Sequence, residues 1–218
     1  EQFFYKTDRS NHLKVLKLIL LNEPDFYGIV FCETKDACRR LSEKMAFFGI
    51  KSGALHGDLS QGQRDQAVEL FKAKKTTLLV CTDVAARGID IPDLTHVINM
   101  GLPQKRESYV HRVGRTGRAG KSGKAITLVS PGEMRSLKYL ERDIKTQLKP
   151  FKIDQEEVKK QIVAGHLDQY SNIRDAIVEK QEDFKVDEQF EAFDNFFEGL
   201  SREQLLKLMF VHGVQKSL

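Results

Sequence analysis

The sequence predicts an α/β fold: a parallel sheet with helices on both faces over residues 1–150, followed by a small all-α domain over residues 151–218. Three observations carry this. Short apolar runs of buried-strand type recur through the first part, beginning with Gly28-Ile29-Val30-Phe31-Cys32. Segments with apolar residues at helical spacing lie between them, and the connections are short, which is the pattern of βαβ units. Beyond Lys149-Pro150 the strand-like runs stop and the composition changes, with Pro150 and Lys152 marking a linker.

The elements follow in order. Behind Phe3-Phe4-Tyr5, a helix runs from Asn11 to Leu21 with Ser10 or Asn11 as its cap. The strand at Gly28–Cys32 leads into a helix from about Lys35 to Phe48. A brief strand at Ser52–Leu55 precedes a helix from about Ser60 to Lys72, and strands follow at Thr77–Cys81 and His96–Asn99. A helical segment near Glu107–Val113, a strand at Ala125–Val129 and a helix from about Gly132 to Asp143 complete the first part.

With 218 residues and 40% apolar content, the chain can bury a sizeable core. No apolar run reaches membrane-spanning length and the N-terminus lacks a signal pattern, so a soluble, cytoplasmic protein is expected. Cys32, Cys38 and Cys81 are spaced for neither a metal site nor a disulfide framework and read as small core residues. The net charge of +4 conceals an asymmetry. Residues 1–153 hold 27 Lys and Arg against 17 Asp and Glu, whereas residues 154–218 hold 8 against 14. The signal for a polyanionic partner therefore lies in the first part.

In parallel sheets ligands bind outside the carboxyl ends of the strands, so the loops after strands are the informative ones. His56-Gly57-Asp58-Leu59-Ser60 offers a glycine and a capped helix start, with Arg64 one turn in. Thr82-Asp83 through Ala86-Arg87-Gly88-Ile89-Asp90 offers Thr82 as a donor to phosphate and Asp90 as an acceptor from sugar hydroxyls. Asp83 and Arg87 could form an ion pair. Tyr109 to Gly120 places Arg112, Arg115 and Arg118 at spacings of three among glycines, so several guanidinium forks can meet a polyphosphate. Ala119-Gly120-Lys121-Ser122 imitates the end of a phosphate loop, but the required first glycine would fall at Arg115. No acidic metal-binding motif accompanies it.

Together these stretches resemble the second RecA-like domain of the DEAD-box RNA helicases. Ile29–Lys35 is similar to motif IV, His56-Gly57-Asp58 with Gln61-x-x-Arg64 to motif IVa, Thr82–Pro92 to motif V, and His111-Arg112-x-Gly114-Arg115-x-x-Arg118 to motif VI. The departures are Met100-Gly101, where Tyr-Asp is frequent, and the Cys32-Glu33 filling of motif IV. The resemblance implies that Arg115 and Arg118 reach the γ-phosphate of ATP, with Arg118 as arginine finger, while His111 and Arg112 couple the cleft to the opposite domain. It implies that Asp90 holds the ribose, that Arg87, which with Gly88 belongs to the nucleotide site, pairs with the acidic motif of the opposite domain, and that Gly57, Asp58, Arg64 and Thr82 contact the RNA backbone. ATP with Mg2+ would be held mainly by an N-terminal RecA-like domain of the same protein. ATP-driven closure of the two domains would bend and locally melt an RNA duplex without sequence preference.

Lacking the phosphate loop and the magnesium-binding carboxylates, the chain alone is expected to hydrolyse ATP negligibly. The absence of an initiator Met at Glu1 fits a piece of a longer protein. A second reading keeps the fold and drops the catalysis: a stand-alone RNA-binding or dimerisation module on a helicase-like scaffold.

For residues 151–218, helices are expected at about Asp154–Gly165, Leu167–Lys180, Val186–Gly199 and Ser201–Val211, the last opened by a Ser201/Gln204 capping box. Phe184, Phe190, Phe193, Phe196 and Phe197 are a large aromatic load for so short a segment, to be hidden in its own core or against a second copy. The stretch also resembles the helical extension of bacterial cold-shock DEAD-box helicases, which implies a homodimer.

Overall fold

The structure, a computed structural model, describes residues 1–86, 91, 94–117, 120–165, 200, 201, 203, 204 and 207. Its strands are β1 (Gln2–Lys6), β2 (Gly28–Phe31), β3 (Ser52–Leu55), β4 (Leu78–Cys81), β5 (His96–Asn99), β6 (Lys124–Val129) and β7 (Lys149–Pro150). All pair in parallel, in the order β3-β4-β2-β5-β6-β1-β7. The helices are α1 (His12–Asn22), α2 (Lys35–Phe47), α3 (Gln61–Lys72), α4 (Asp83–Ala86), α5 (Arg106–Val113) and α6 (Met134–Ile144). Residues 155–165 form a further helix, α7.

Successive side chains of a strand point to opposite faces, so the continuous apolar runs of β2 and β4 feed two cores. On one face Val30, Leu78, Val80, Ile98, Ile126 and Leu128 pack with Val15, Leu16 and Ile19 of α1 and Cys38, Leu41 and Met45 of α2. On the other, Ile29, Phe31, Leu79, Cys81 and Val97 meet Phe71 of α3 and the alanines of α4. Tyr109, Leu137 and Leu140 of α5 and α6 cover Val129 and Phe4 on that same side. Each fully buried Leu, Ile or Val contributes roughly 1.5–3 kcal/mol of transfer free energy, so this double burial dominates the fold's stability.

Local signals set the helix starts. Thr34 accepts a hydrogen bond from the Ala37 amide, capping α2. Ser60 caps α3, as the sequence reading expects, and Gln63 completes a capping box by accepting from the Ser60 amide. Asn11 occupies the cap position of α1 but its side chain makes no capping hydrogen bond, so packing of the buried stripe holds that helix.

Three differences from the sequence reading have physical reasons. Phe3-Phe4-Tyr5 lies inside a strand, β1, which pairs with β6 on one side and β7 on the other. Thr82 is followed by the single turn α4 instead of an open loop. The linker expected at Pro150–Lys152 begins instead as an edge strand: the Phe151 amide bonds to the Phe4 carbonyl at 2.8 Å, and the Phe151 ring is buried edge-on against Phe3. Proline is tolerated there because an edge strand leaves one side unpaired.

The chain divides into two compact units, Glu1–Ile153 and Asp154–Leu218. In the second, Asp154 caps α7 by accepting from the Glu156 and Glu157 amides, and Val158 and Ile162, one turn apart, are buried. Ser201 and Gln204 make the reciprocal bonds of a capping box. The helices expected at 167–180 and 186–199, most of the one at 201–211, and the phenylalanine-rich run lie outside the described residues. Among the described residues, no helix is long and apolar enough to cross a membrane.

Candidate functional site

The site residues emerge from the carboxyl ends of the strands. The segment after β4 supplies Thr82 and Asp83, and α5 supplies His111 and Arg112 with Arg115 just beyond it. Arg112 is buried, an unusual position for an arginine unless all its donors are used. Its Nε and one terminal nitrogen donate to the two carboxylate oxygens of Asp83 at 2.6 and 2.9 Å, and its other terminal nitrogen donates to Asn99 Oδ1 at 3.1 Å. Asn99 in turn donates to Thr127 at 3.1 Å, and the guanidinium lies 5.1 Å from the Phe31 ring centre. This chain of bonds fastens α5 to the ends of β4, β5 and β6.

Asp83, Arg112, Arg115, His111, Lys105 and Ser108 line one cleft of about 330 Å³, which Phe31, Ala86 and Glu107 complete. His111 is exposed on it, whereas Arg115 is half-buried. Gly117, with φ of +68°, turns the chain immediately afterwards, in a backbone region that glycine enters at little cost. Thr116 anchors this turn by donating from its hydroxyl to the Leu94 carbonyl. The geometry suits a polyanion: cationic side chains face the cleft, and the Asp83 carboxylate is neutralised from beneath by Arg112.

The second group of expected residues lies on neighbouring strand ends. Gly57 and Asp58 are exposed after β3, Thr82 is half-buried after β4, and Arg64 is half-buried in the first turn of α3. Lys35 meets Asp58 at 2.9 Å, and this hydrogen bond holds the Asp58 carboxyl below the usual carboxylate range. Arg87, Gly88, Asp90 and Arg118 lie outside the described residues. Asp83 pairs with Arg112, and the Asp83–Arg87 pair that the sequence offered lies outside the described residues through Arg87. The sequence reading did not single out Asn99, Lys105 or Lys35. Asn99 had a legible signal, a polar residue directly after the apolar Val97 and Ile98 at a strand's end, whereas Lys105 is visible only once α5 is placed.

Among the described residues no three His, Cys, Asp or Glu side chains are grouped to hold a metal ion. Burial pushes the Cys38 thiol up to about 11 and the Cys32 thiol up to about 12, so these cysteines are core residues and not nucleophiles.

Comparison with known proteins agrees with this geometry. Residues 11–120 match the family described as the helicase conserved C-terminal domain. A probable ATP-dependent RNA helicase of Methanocaldococcus jannaschii is 47% identical over 152 residues, covering 70% of this chain and 41% of the relative. The ATP-dependent RNA helicase CshA of Listeria monocytogenes is 38% identical over 193 residues, covering 83% and 37%. Among solved structures, E. coli SrmB bound to a regulator of ribonuclease activity is 37% identical with a TM-score of 0.66, covering 71% of this chain and 92% of that one. S. cerevisiae Dbp5 bound to RNA and ADP BeF3 is 29% identical with a TM-score of 0.66, covering 74% and 44%. The sheet and its cleft thus define a helicase-type α/β domain. More particularly, the chain belongs to the DEAD-box RNA helicase family, as its C-terminal RecA-like domain. It spans about two fifths of the length of the first two curated relatives.

Proposed function

We propose that this chain is the half of an ATP-dependent RNA helicase that closes over a nucleotide held chiefly by another domain and grips the RNA backbone while a duplex is locally melted. The observation that carries this reading is the cleft in which the exposed His111 and the half-buried Arg115 sit beside the Asp83 carboxylate, which the buried Arg112 holds in place. ATP with Mg2+ supplies the phosphoryl group whose hydrolysis resets the closed state. Arg115 and Arg118 face its terminal phosphate, with Arg118 as arginine finger, and Asp90 holds the ribose. Gly57, Asp58, Arg64 and Thr82 contact phosphates and sugars, which makes RNA binding independent of sequence. The partner domain's catalytic carboxylates would meet His111 and Arg87 across the cleft. The protein acts in the cytoplasm, and residues 151–218 join two copies, a reading supported by their phenylalanine-rich composition.

The test is RNA-dependent ATP turnover of this chain mixed with a separately expressed first domain of a DEAD-box relative. The mixture turns over ATP in the presence of RNA and neither part does so alone. Turnover by this chain without the other domain, or a mixture no faster than its parts, overturns the reading. Light scattering at micromolar concentration tests the dimer, whose absence would show as the monomer mass of 24.9 kDa.

A further inference from the structure

A second cleft, of about 520 Å³, opens beside α6 and touches the motif stretches only at Glu33. Leu102, Pro103 and Leu140 give it an apolar floor, Tyr139 stands at its wall, and Arg106 faces in from the first residue of α5. Arg9, just after β1, lies at its other side. The cleft is therefore on the same carboxyl edge of the sheet as the candidate RNA loops. Arg106 opens the eight-residue helix whose last turn carries His111 and Arg112, and the whole helix is about 12 Å long at 1.5 Å per residue.

Tyr139 is the telling residue. It is 48% exposed in the middle of the solvent face of α6, although a ring of that size is normally hidden. Arg135, four residues before, and Arg142, three residues after, share its helix face, with guanidinium carbons 5.8 and 5.6 Å from the ring centre. Guanidinium groups held over an aromatic ring keep outward-pointing donors for phosphate, while the free part of the ring remains able to stack on a base. Aromatic rings combined with Arg make up the sequence-tolerant grip on single strands, and among the described residues the motif stretches offer no exposed ring of this kind, Phe31 being buried against Arg112.

The charges permit it. Glu133 is bound by Arg9 at 2.6 Å and Glu33 lies 3.7 Å from the same guanidinium, so two of the three carboxylates in the cleft are already answered. Asp143, which has no ion pair among the described residues, is the carboxylate left to oppose a phosphate. Against it stand Arg106, Arg135, Lys138 and Arg142, all exposed. A protein partner would also accept Tyr and Arg, but around Tyr139 the exposed cations Arg106, Arg135, Lys138 and Arg142 outnumber the exposed carboxylates Glu107 and Asp143, which favours a polyanion with bases.

From this arrangement we infer that the α6 cleft is an additional contact for single-stranded RNA, with Tyr139 stacking on a base and Arg135 and Arg142 holding adjacent phosphates. The inference rests on the RNA reading above and extends the strand's path beyond the motif loops. It is tested by fluorescence anisotropy of a labelled ten-nucleotide oligouridine with the full 218-residue chain, as wild type, Tyr139→Ala, Tyr139→Phe and Arg135→Glu/Arg142→Glu. Circular dichroism and the melting temperature verify that each variant folds. Tyr139→Ala should weaken binding about fivefold or more, while Tyr139→Phe, which keeps the ring, stays within about twofold of wild type. The double charge reversal should weaken binding at least about tenfold and reduce the salt dependence, by about 0.7 in log–log slope for each phosphate no longer neutralised. Wild-type affinity and salt slope in folded variants overturn the inference alone and leave the cleft to a protein partner. If the wild-type chain binds no RNA, this inference and the RNA reading fall together.

Discussion

Arg112 grips Asp83 through two parallel hydrogen bonds of 2.6 and 2.9 Å, joining residues 29 positions apart in the chain. The Arg112 side chain is 5% exposed and the Asp83 side chain 35%, so removing either partner has unequal consequences. Asp83→Ala strands a buried guanidinium and should cost about 3 kcal/mol or more, the range for an uncompensated buried charge. Arg112→Ala leaves a carboxylate that water can reach and should cost less. Urea unfolding of both variants tests this order.

The three cysteines are buried, and Cys38 donates to the Val80 carbonyl at 3.2 Å. With the Cys32 and Cys38 thiols pushed up to about 12 and about 11, and that of Cys81 raised well above its ordinary value by complete burial, none carries appreciable thiolate near neutral pH. A thiol reagent at pH 8 should therefore label no cysteine in the native chain and all three in denaturant. Rapid native labelling would contradict the core described above.

Acid should destabilise the first unit through two histidines. Burial lowers the pKa of His96, which stacks on Phe26 and lies 3.3 Å from Glu23, and burial also lowers that of His12. A depressed folded pKa means that the unfolded chain binds protons first, so this contribution is fully present above 6.5, the ordinary histidine value, and is lost as pH falls below it. Melting temperatures should be level from pH 8 to 7 and drop below about pH 6.5. His96→Gln should flatten part of that drop.

Two glycines near the site should respond differently to alanine. At Gly117, φ of +68° makes any side chain strained although space is available, and Gly117→Ala should cost about 1 kcal/mol. Around Gly57 nothing lies within 4 Å of an added Cβ and the backbone is ordinary. Gly57→Ala should therefore shift stability by less than about 0.5 kcal/mol, so any loss of RNA affinity in that variant reports contact with the RNA. Thermal melts paired with RNA titrations separate the two effects.

How much could be read in advance follows from what each element buries. Strands β2 and β4 are buried on both sides and announce themselves as continuous apolar runs, and Ser60 announced α3 through its cap. Strand β1 was not legible, because three consecutive aromatic residues show no alternation and its partners are contributed from more than a hundred residues away. The post-strand loops were legible as a set because ligands gather at that edge of a parallel sheet. The pairing inside the site was not. Arg112 reaches Asp83 from 29 positions away, and no local pattern links Asp83, Arg112, Asn99 and Thr127. The α6 cleft escaped for the same reason, since Tyr139 acquires meaning only beside Leu102 and Arg106.

The central claim is that this domain completes a nucleotide site from across a cleft. The most direct measurement is RNA-dependent ATP turnover of the chain combined with a separate DEAD-box first domain, comparing wild type with Arg118→Ala. An arginine finger contributes on the order of 10³ to 10⁵ in rate, so the account predicts a loss of at least about a hundredfold with RNA binding retained. Equal turnover by the two proteins would contradict it.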